Sequence, residues 1–217
     1  MTDYAARRTM MVDTQVRPAD VTKFPIIDAM LSVPREAFVP RGLREAAYVG
    51  ENLDLGSGRV LLEPRTLAKM LDALDIRGNE LVLDVGSALG YSSAVMARMA
   101  EAVVALEDDE AMSDEAQDLL LEHGADNVIA HAAPLAGGAP EHGPYDVIAV
   151  QGAVHEVPDA LIDQLKEGGR MACLFMDGAL GSVRVGYKLN GKMNWRFAFN
   201  AAAPILSGFE RRPAFVF

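Results

Sequence analysis

Cysteine is almost absent from this chain of 217 residues; Cys173 is the only one. One thiol cannot close an intrachain disulfide, and its place inside the apolar run Met171–Phe175 suits a small, inert core residue. Also missing are an N-terminal apolar signal segment and any run of about 18 apolar residues, so no membrane partner is expected and the localisation expected is cytoplasmic. Basic charge is in deficit: 20 Lys and Arg stand against 31 Asp and Glu, a net charge of −11. Arg7–Arg8 and Arg211–Arg212 are isolated pairs, whereas a phosphate-tracking surface needs clustered cations, which argues against nucleic acid. The four histidines (His123, His131, His142 and His155) lack metal-ligand spacing, so no metal is expected. Repeats, low-complexity tracts and interdomain linkers are lacking too, and the length suits one well-packed domain over residues 1–217.

What is present centres on Leu81–Glu107, LVLDVGSALGYSSAVMARMAEAVVALE. The apolar run Leu81–Leu83 ends on Asp84, a turn from Gly86 to Gly90 follows, and an amphipathic helix leads to a second apolar run, Val103–Leu106, closed by Glu107. That order is strand, tight turn, helix, strand, one βαβ unit. Glycines let backbone approach a ligand closely, a helix N-terminus presents free N–H groups, and an acid at the second strand tip can accept the hydroxyl protons of a ribose. The stretch is a candidate nucleoside-cofactor cradle; the plainer reading is a βα turn in which glycine serves only packing.

Residues 1–50 read as an N-terminal helical section: a helix stopping near Arg17–Pro18, then one presenting Phe24, Ile27, Met30 and Leu31 on one face. Residues 51–63 read as a loop with a strand fragment, and Pro64 suits the first turn of a helix with Leu67, Met70, Leu71 and Leu74 inward. From residue 80 onward strands and helices alternate, with Asp146–Val150 nearly all apolar and therefore central. Asn190-Gly191, between Val183–Leu189 and Asn194–Phe199, is the best hairpin signal, and Ala214–Phe217 is expected as a last short strand. The fold class is α/β, a doubly wound, mostly parallel sheet with an antiparallel C-terminal hairpin, an N-terminal helical extension over 1–50 and the core sheet over 80–217.

Taken together, MVDTQVRP with AMLSVPREAFVP, LVLDVGSALGYSSAVMA, PEHGPYDVIAV and VPDALIDQLKEGGRM resemble the protein-L-isoaspartate O-methyltransferases, within the S-adenosylmethionine-dependent methyltransferases. The resemblance covers nearly the whole chain and implies a seven-stranded Rossmann-like sheet with an antiparallel final strand. It also implies methyl transfer from S-adenosylmethionine to the carboxylate of an isoaspartyl linkage in a protein or peptide, S-adenosylhomocysteine being the product. The cofactor-binding positions it carries over are Asp84, Gly86, Ser87, Gly90 and Glu107.

Four departures from the family pattern fall at the implied site. Ala88 stands where the loop usually has glycine, and Val60 and Leu62 replace hydroxyl residues that would contact the methyl-accepting carboxylate, leaving the catalytic residues unassigned. Glu63 adds like charge beside an anionic substrate, and Pro134 stands where an acid would receive the adenine amino group. The alternative to isoaspartyl methylation is therefore an altered or inactive homologue, methylating another acceptor or binding a partner on the same scaffold. Single residues raise further candidates: His155 with Glu156 beyond a strand tip, Arg65 for an anion, and Gln151-Gly152 at the transfer point. The sequence does not fix the oligomeric state.

Overall fold

The computed structural model describes residues 3–211, so the strand expected at Ala214–Phe217 lies outside the described residues. Helix α1 (Tyr4–Met11) starts at Asp3, whose side chain accepts from the Ala6 N–H at 3.0 Å and satisfies one of the amides a helix start leaves free. It continues through a wide turn at Val12–Val16 and a tight one at Arg17–Ala19, then stops at Asp20, which adopts the left-handed conformation with φ +64°. Helix α2 (Phe24–Ser32) has Pro25 in its first turn and buries Ile26, Ile27, Ala29 and Met30. Phe24 is not on the inner face; it is 75% exposed.

The segment expected as a loop is a small antiparallel hairpin, β1 (Leu53–Gly56) and β2 (Arg59–Leu61), turned by Gly56, Ser57 and Gly58, all at positive φ. Pro64 opens α3 (Pro64–Leu74), whose buried face includes Leu67, Met70, Leu71 and Leu74. Then come β3 (Leu81–Val85), α4 (Tyr91–Ala97), β4 (Ala102–Glu107), α5 (Glu110–Glu122) and β5 (Val128–Ala132). Asp109 caps α5 by accepting from the Met112 N–H at 3.1 Å, and Gly124 turns the chain out of it with φ +71°. The chain finishes with β6 (Tyr145–Val154), α6 (Asp159–Gln164), β7 (Leu165–Asp177), β8 (Leu180–Leu189) and β9 (Lys192–Asn200).

The main sheet has seven strands in the order β5-β4-β3-β6-β7-β8-β9. The first five are mutually parallel; β8 runs antiparallel between β7 and β9, so the hairpin around Asn190-Gly191 closes the sheet as the sequence predicts. Alternate residues face opposite sides, which is why the parallel strands read as continuous apolar runs. Val82, Val103, Val147 and Ala172 pack with the N-terminal helices, α3 and α4 on one side, while Leu83, Val104, Ile148 and Met171 pack with Leu161, Leu206 and Phe209 on the other. Arg170 fixes the far end of the sheet: its guanidinium holds Glu80 through two 2.8 Å bonds and donates to the carbonyls of Leu74 and Asp75. Among the described residues no helix is long and apolar enough to cross a membrane.

Candidate active site

The chain builds outward from β3 to β4 and β5, then returns to the other side of β3 with β6. At such a reversal the loops after neighbouring strands part and leave a crevice beyond the strand C-terminal ends. Asp84, Gly86, Ser87, Gly90 and Glu107 all come together there, on β3, β4 and the turn into α4. Gln151, from β6, reaches the same place.

Asp84 is fully buried and accepts from Ser92 Oγ at 2.6 Å, Ser93 Oγ at 2.5 Å and Gln151 Nε2 at 2.7 Å. Burial pushes its pKa up to about 6, with Glu107 adding like charge, although the three hydrogen bonds pull the other way. Asp84 therefore ties β3 to α4 and β6. The turn after it is folded onto its own chain: Gly86 N–H and Ser87 N–H both donate to the Leu106 carbonyl, at 2.9 and 3.2 Å. Ala88 has φ +50°, the strained conformation for a residue with a Cβ, and its N–H donates to Glu107 at 2.9 Å.

Glu107 is where the structure departs from the cradle read in the sequence. Arg59, at the start of β2, lies 2.9 and 3.1 Å from its two carboxylate oxygens, through a single Nε. The Arg59 guanidinium also bonds the Asp108 carboxylate. Backbone N–H groups of Asp108 (2.8 Å) and Ala88 (2.9 Å) take the remaining directions, so the roughly four acceptor sites of a carboxylate are filled. Both Arg59 and Glu107 are buried. Burial pushes the Glu107 carboxyl above its ordinary value, opposed by Arg59 and those backbone donors.

The rest of the crevice is packed as well. Leu206, on the segment that crosses beyond β6, stands 3.1 Å from where a Cβ on Gly86 would lie and 2.6 Å from one on Gly152. Its backbone holds it there, the Leu206 N–H donating to the Ala153 carbonyl at 2.9 Å. Val60, Leu61, Leu62, Phe38 and Tyr91 wall the opposite side. The space left among them is about 10 Å³, hardly one water molecule. Past Glu107 the surface opens into a shallow basin of about 480 Å³ lined by Asp108, Glu110, Ala132, Ala133 and Pro134.

In this arrangement the crevice is closed to a nucleoside donor. Its ribose would need a carboxylate with free acceptor sites, and a ligand of that size needs several hundred Å³. Beside Glu107 that room lies in the basin lined by Pro134, which offers no side-chain acceptor.

The other candidates fall elsewhere. His155 accepts from the Arg211 N–H at 3.0 Å, in a groove with Phe175 and Leu180, and Glu156 lies 3.9 Å from Arg211. Arg65 sits over the Phe199 ring at 5.8 Å and 3.6 Å from Glu63, half-exposed. His131 and His142, which lack metal-ligand spacing in the sequence, meet edge to face at 5.2 Å, and Glu141 lies 3.0 Å from His131, so the three bring ligand atoms within 4.8 Å of one another. Arg59 was not a sequence candidate. Nothing near it signals a partner 48 residues onward; its only mark is that it is a lone cation following Gly-Ser-Gly in an apolar stretch.

A second buried arginine also escaped the sequence. Arg35 donates to the Ala47 carbonyl at 2.6 Å and the Leu62 carbonyl at 2.7 Å, and lies over the Tyr91 ring at 4.8 Å. It joins the N-terminal section to the aliphatic wall of the crevice.

The model of the protein-L-isoaspartate(D-aspartate) O-methyltransferase family matches residues 7–179. A protein-L-isoaspartate O-methyltransferase of Syntrophus aciditrophicus is 35% identical over 171 residues, 79% of this chain and 78% of that protein. One from Methylorubrum extorquens is 39% identical over 169 residues, 78% of this chain and 74% of its own length. Among solved structures, a protein-L-isoaspartate O-methyltransferase superposes with a TM-score of 0.81 at 26% identity, over 93% of this chain and 66% of that one.

Proposed function

The chain belongs to the protein-L-isoaspartate(D-aspartate) O-methyltransferase family, and from that premise we propose that it transfers a methyl group from S-adenosylmethionine to the carboxylate of an isoaspartyl residue in a protein or peptide. The observation that carries this reading is the family match over residues 7–179, which takes in the crevice residues from Phe38 to Gln151. Asp84, Gly86, Ser87, Gly90 and Glu107 are the donor-side residues under this proposal. The acceptor is a carboxylate, already ionised at neutral pH, so no general base is required. The protein's part is to position it and keep water out.

The aliphatic wall suits the second task. Val60 and Leu62 are buried beside Phe38 and Tyr91, and they give an acceptor carboxylate no hydroxyl to lean on. The assay is incubation with an isoaspartyl peptide and methyl-labelled S-adenosylmethionine. Base-labile methyl ester on the isoaspartyl peptide, and none on its aspartyl counterpart, is the expected result; incorporation at blank level into both would remove the reading.

A further inference from the structure

We propose that Arg59 is the gate of the donor crevice, occupying Glu107 in the place a ribose would take, so that a nucleoside donor binds only when the guanidinium has left. The inference rests on the methyl-transfer reading above and adds the residue that controls entry to that site.

Three observations carry it. Glu107 is saturated, and among its partners only Arg59 belongs to a side chain; the Ala88 and Asp108 donors are backbone N–H groups beside the carboxylate. Removing Arg59 therefore frees acceptor sites on Glu107 and leaves the backbone donors of the turn as its remaining partners. Second, the gate opens toward existing room, since the Asp108 that holds the other end of the guanidinium also lines the 480 Å³ basin. Third, β2 is buried at Arg59, Val60 and Leu61, but Arg59 directly follows a turn with free space around it, so the guanidinium and not the strand is the moving part. The β1–β2 hairpin pairs with itself, outside the seven-stranded sheet, and its turn is Gly56-Ser57-Gly58 at positive φ, with nothing within 4 Å of a Cβ on either glycine.

The same geometry says what the gate responds to. Arg59 is held by two carboxylates, Glu107 and Asp108, and an entering donor must offer Glu107 two hydroxyl protons in exchange. A ligand without vicinal hydroxyls has nothing with which to displace it.

The test is titration of the full chain and of Arg59→Gln with S-adenosylmethionine by calorimetry, each also scored for methyl transfer to an isoaspartyl peptide. Arg59→Gln is expected to bind at least tenfold more tightly than the parent. Asp108→Asn, which weakens the second anchor from a half-buried site, is expected to shift the dissociation constant in the same direction by less, and it keeps the test open should Arg59→Gln fold poorly. Adenosine is expected to compete for the opened site, and 2′-deoxyadenosine to compete poorly.

Equal dissociation constants for the parent and both variants would overturn the gate while leaving methyl transfer intact. Absence of binding in all three would overturn it too, because something other than Arg59 then closes the crevice. Tighter binding in the variants with no methyl ester in any protein would uphold the gate and sink the isoaspartyl reading.

Discussion

Asp84 shows at one residue what burial does to a carboxylate. Its pKa in the fold, about 6, lies above the ordinary value of 3.8. The folded chain therefore holds that proton more tightly than the unfolded chain does. Stability from this group is fullest below about pH 4 and is lost as the pH climbs through about 6, a difference of about 3 kcal/mol for a shift of this size. Asp84→Asn, which keeps the shape and an acceptor for Gln151, is expected to be free of that loss. Urea denaturation from pH 4 to pH 7 checks it: the stability of the variant relative to the parent should rise across that window, and a constant offset would show that Asp84 ionises without penalty. The sequence marked Asp84 as a site residue from its position at a strand tip. It gave no sign of Ser92, Ser93 or Gln151 as its partners, because those contacts exist only once α4 and β6 are folded against β3.

Elements were most legible where local chemistry decides them. Asn190 and Gly191 take φ +53° and +73°, the pair of left-handed residues that a two-residue hairpin turn demands. Both amides then donate to the Glu167 carboxylate near the start of β7. Gly191→Ala is expected to cost about 1 kcal/mol, seen as a fall of a few degrees in Tm. Because no atom lies within 4 Å of the added methyl, an unchanged Tm would mean the turn had relaxed to another type. The β1–β2 hairpin was read only as a loop with a strand fragment. Its strands are 4 and 3 residues long, too short for alternation to register, and its two-residue turn is Ser57-Gly58 where the strong signals are Asn-Gly and Asp-Gly. That miss matters, since the element carries Arg59.

For the whole molecule, the parallel core and the N-terminal helices followed from apolar runs and their punctuation, whereas the crevice did not. A strand–turn–helix reading places the right backbone at the switch point, but it cannot say which side chains from residues 35, 59 or 206 arrive there. Those contacts span long loops, and their only record is three-dimensional. The acidic balance is a property at this same scale: with a net charge of −11 the fold repels itself at low ionic strength. The exposed pairs Arg17–Asp13 and Arg7–Glu45 offset little of that. Raising NaCl from about 10 mM to about 0.5 M is therefore expected to raise Tm by a few degrees. A fall would mean that the ion pairs as a set outweigh the long-range repulsion.

Asp84 and Glu107 are both buried, and of the two only Glu107 is paired with a guanidinium, that of Arg59. When Arg59 withdraws, a positive charge leaves and two like charges face each other across the turn. A sulfonium brings an equal charge back to the neighbourhood; the thioether that remains after its methyl has gone does not. Under the proposed gate Arg59 would thus be drawn home by the spent molecule and held off by the fresh one, and the same arginine that bars the entrance would help to expel the product.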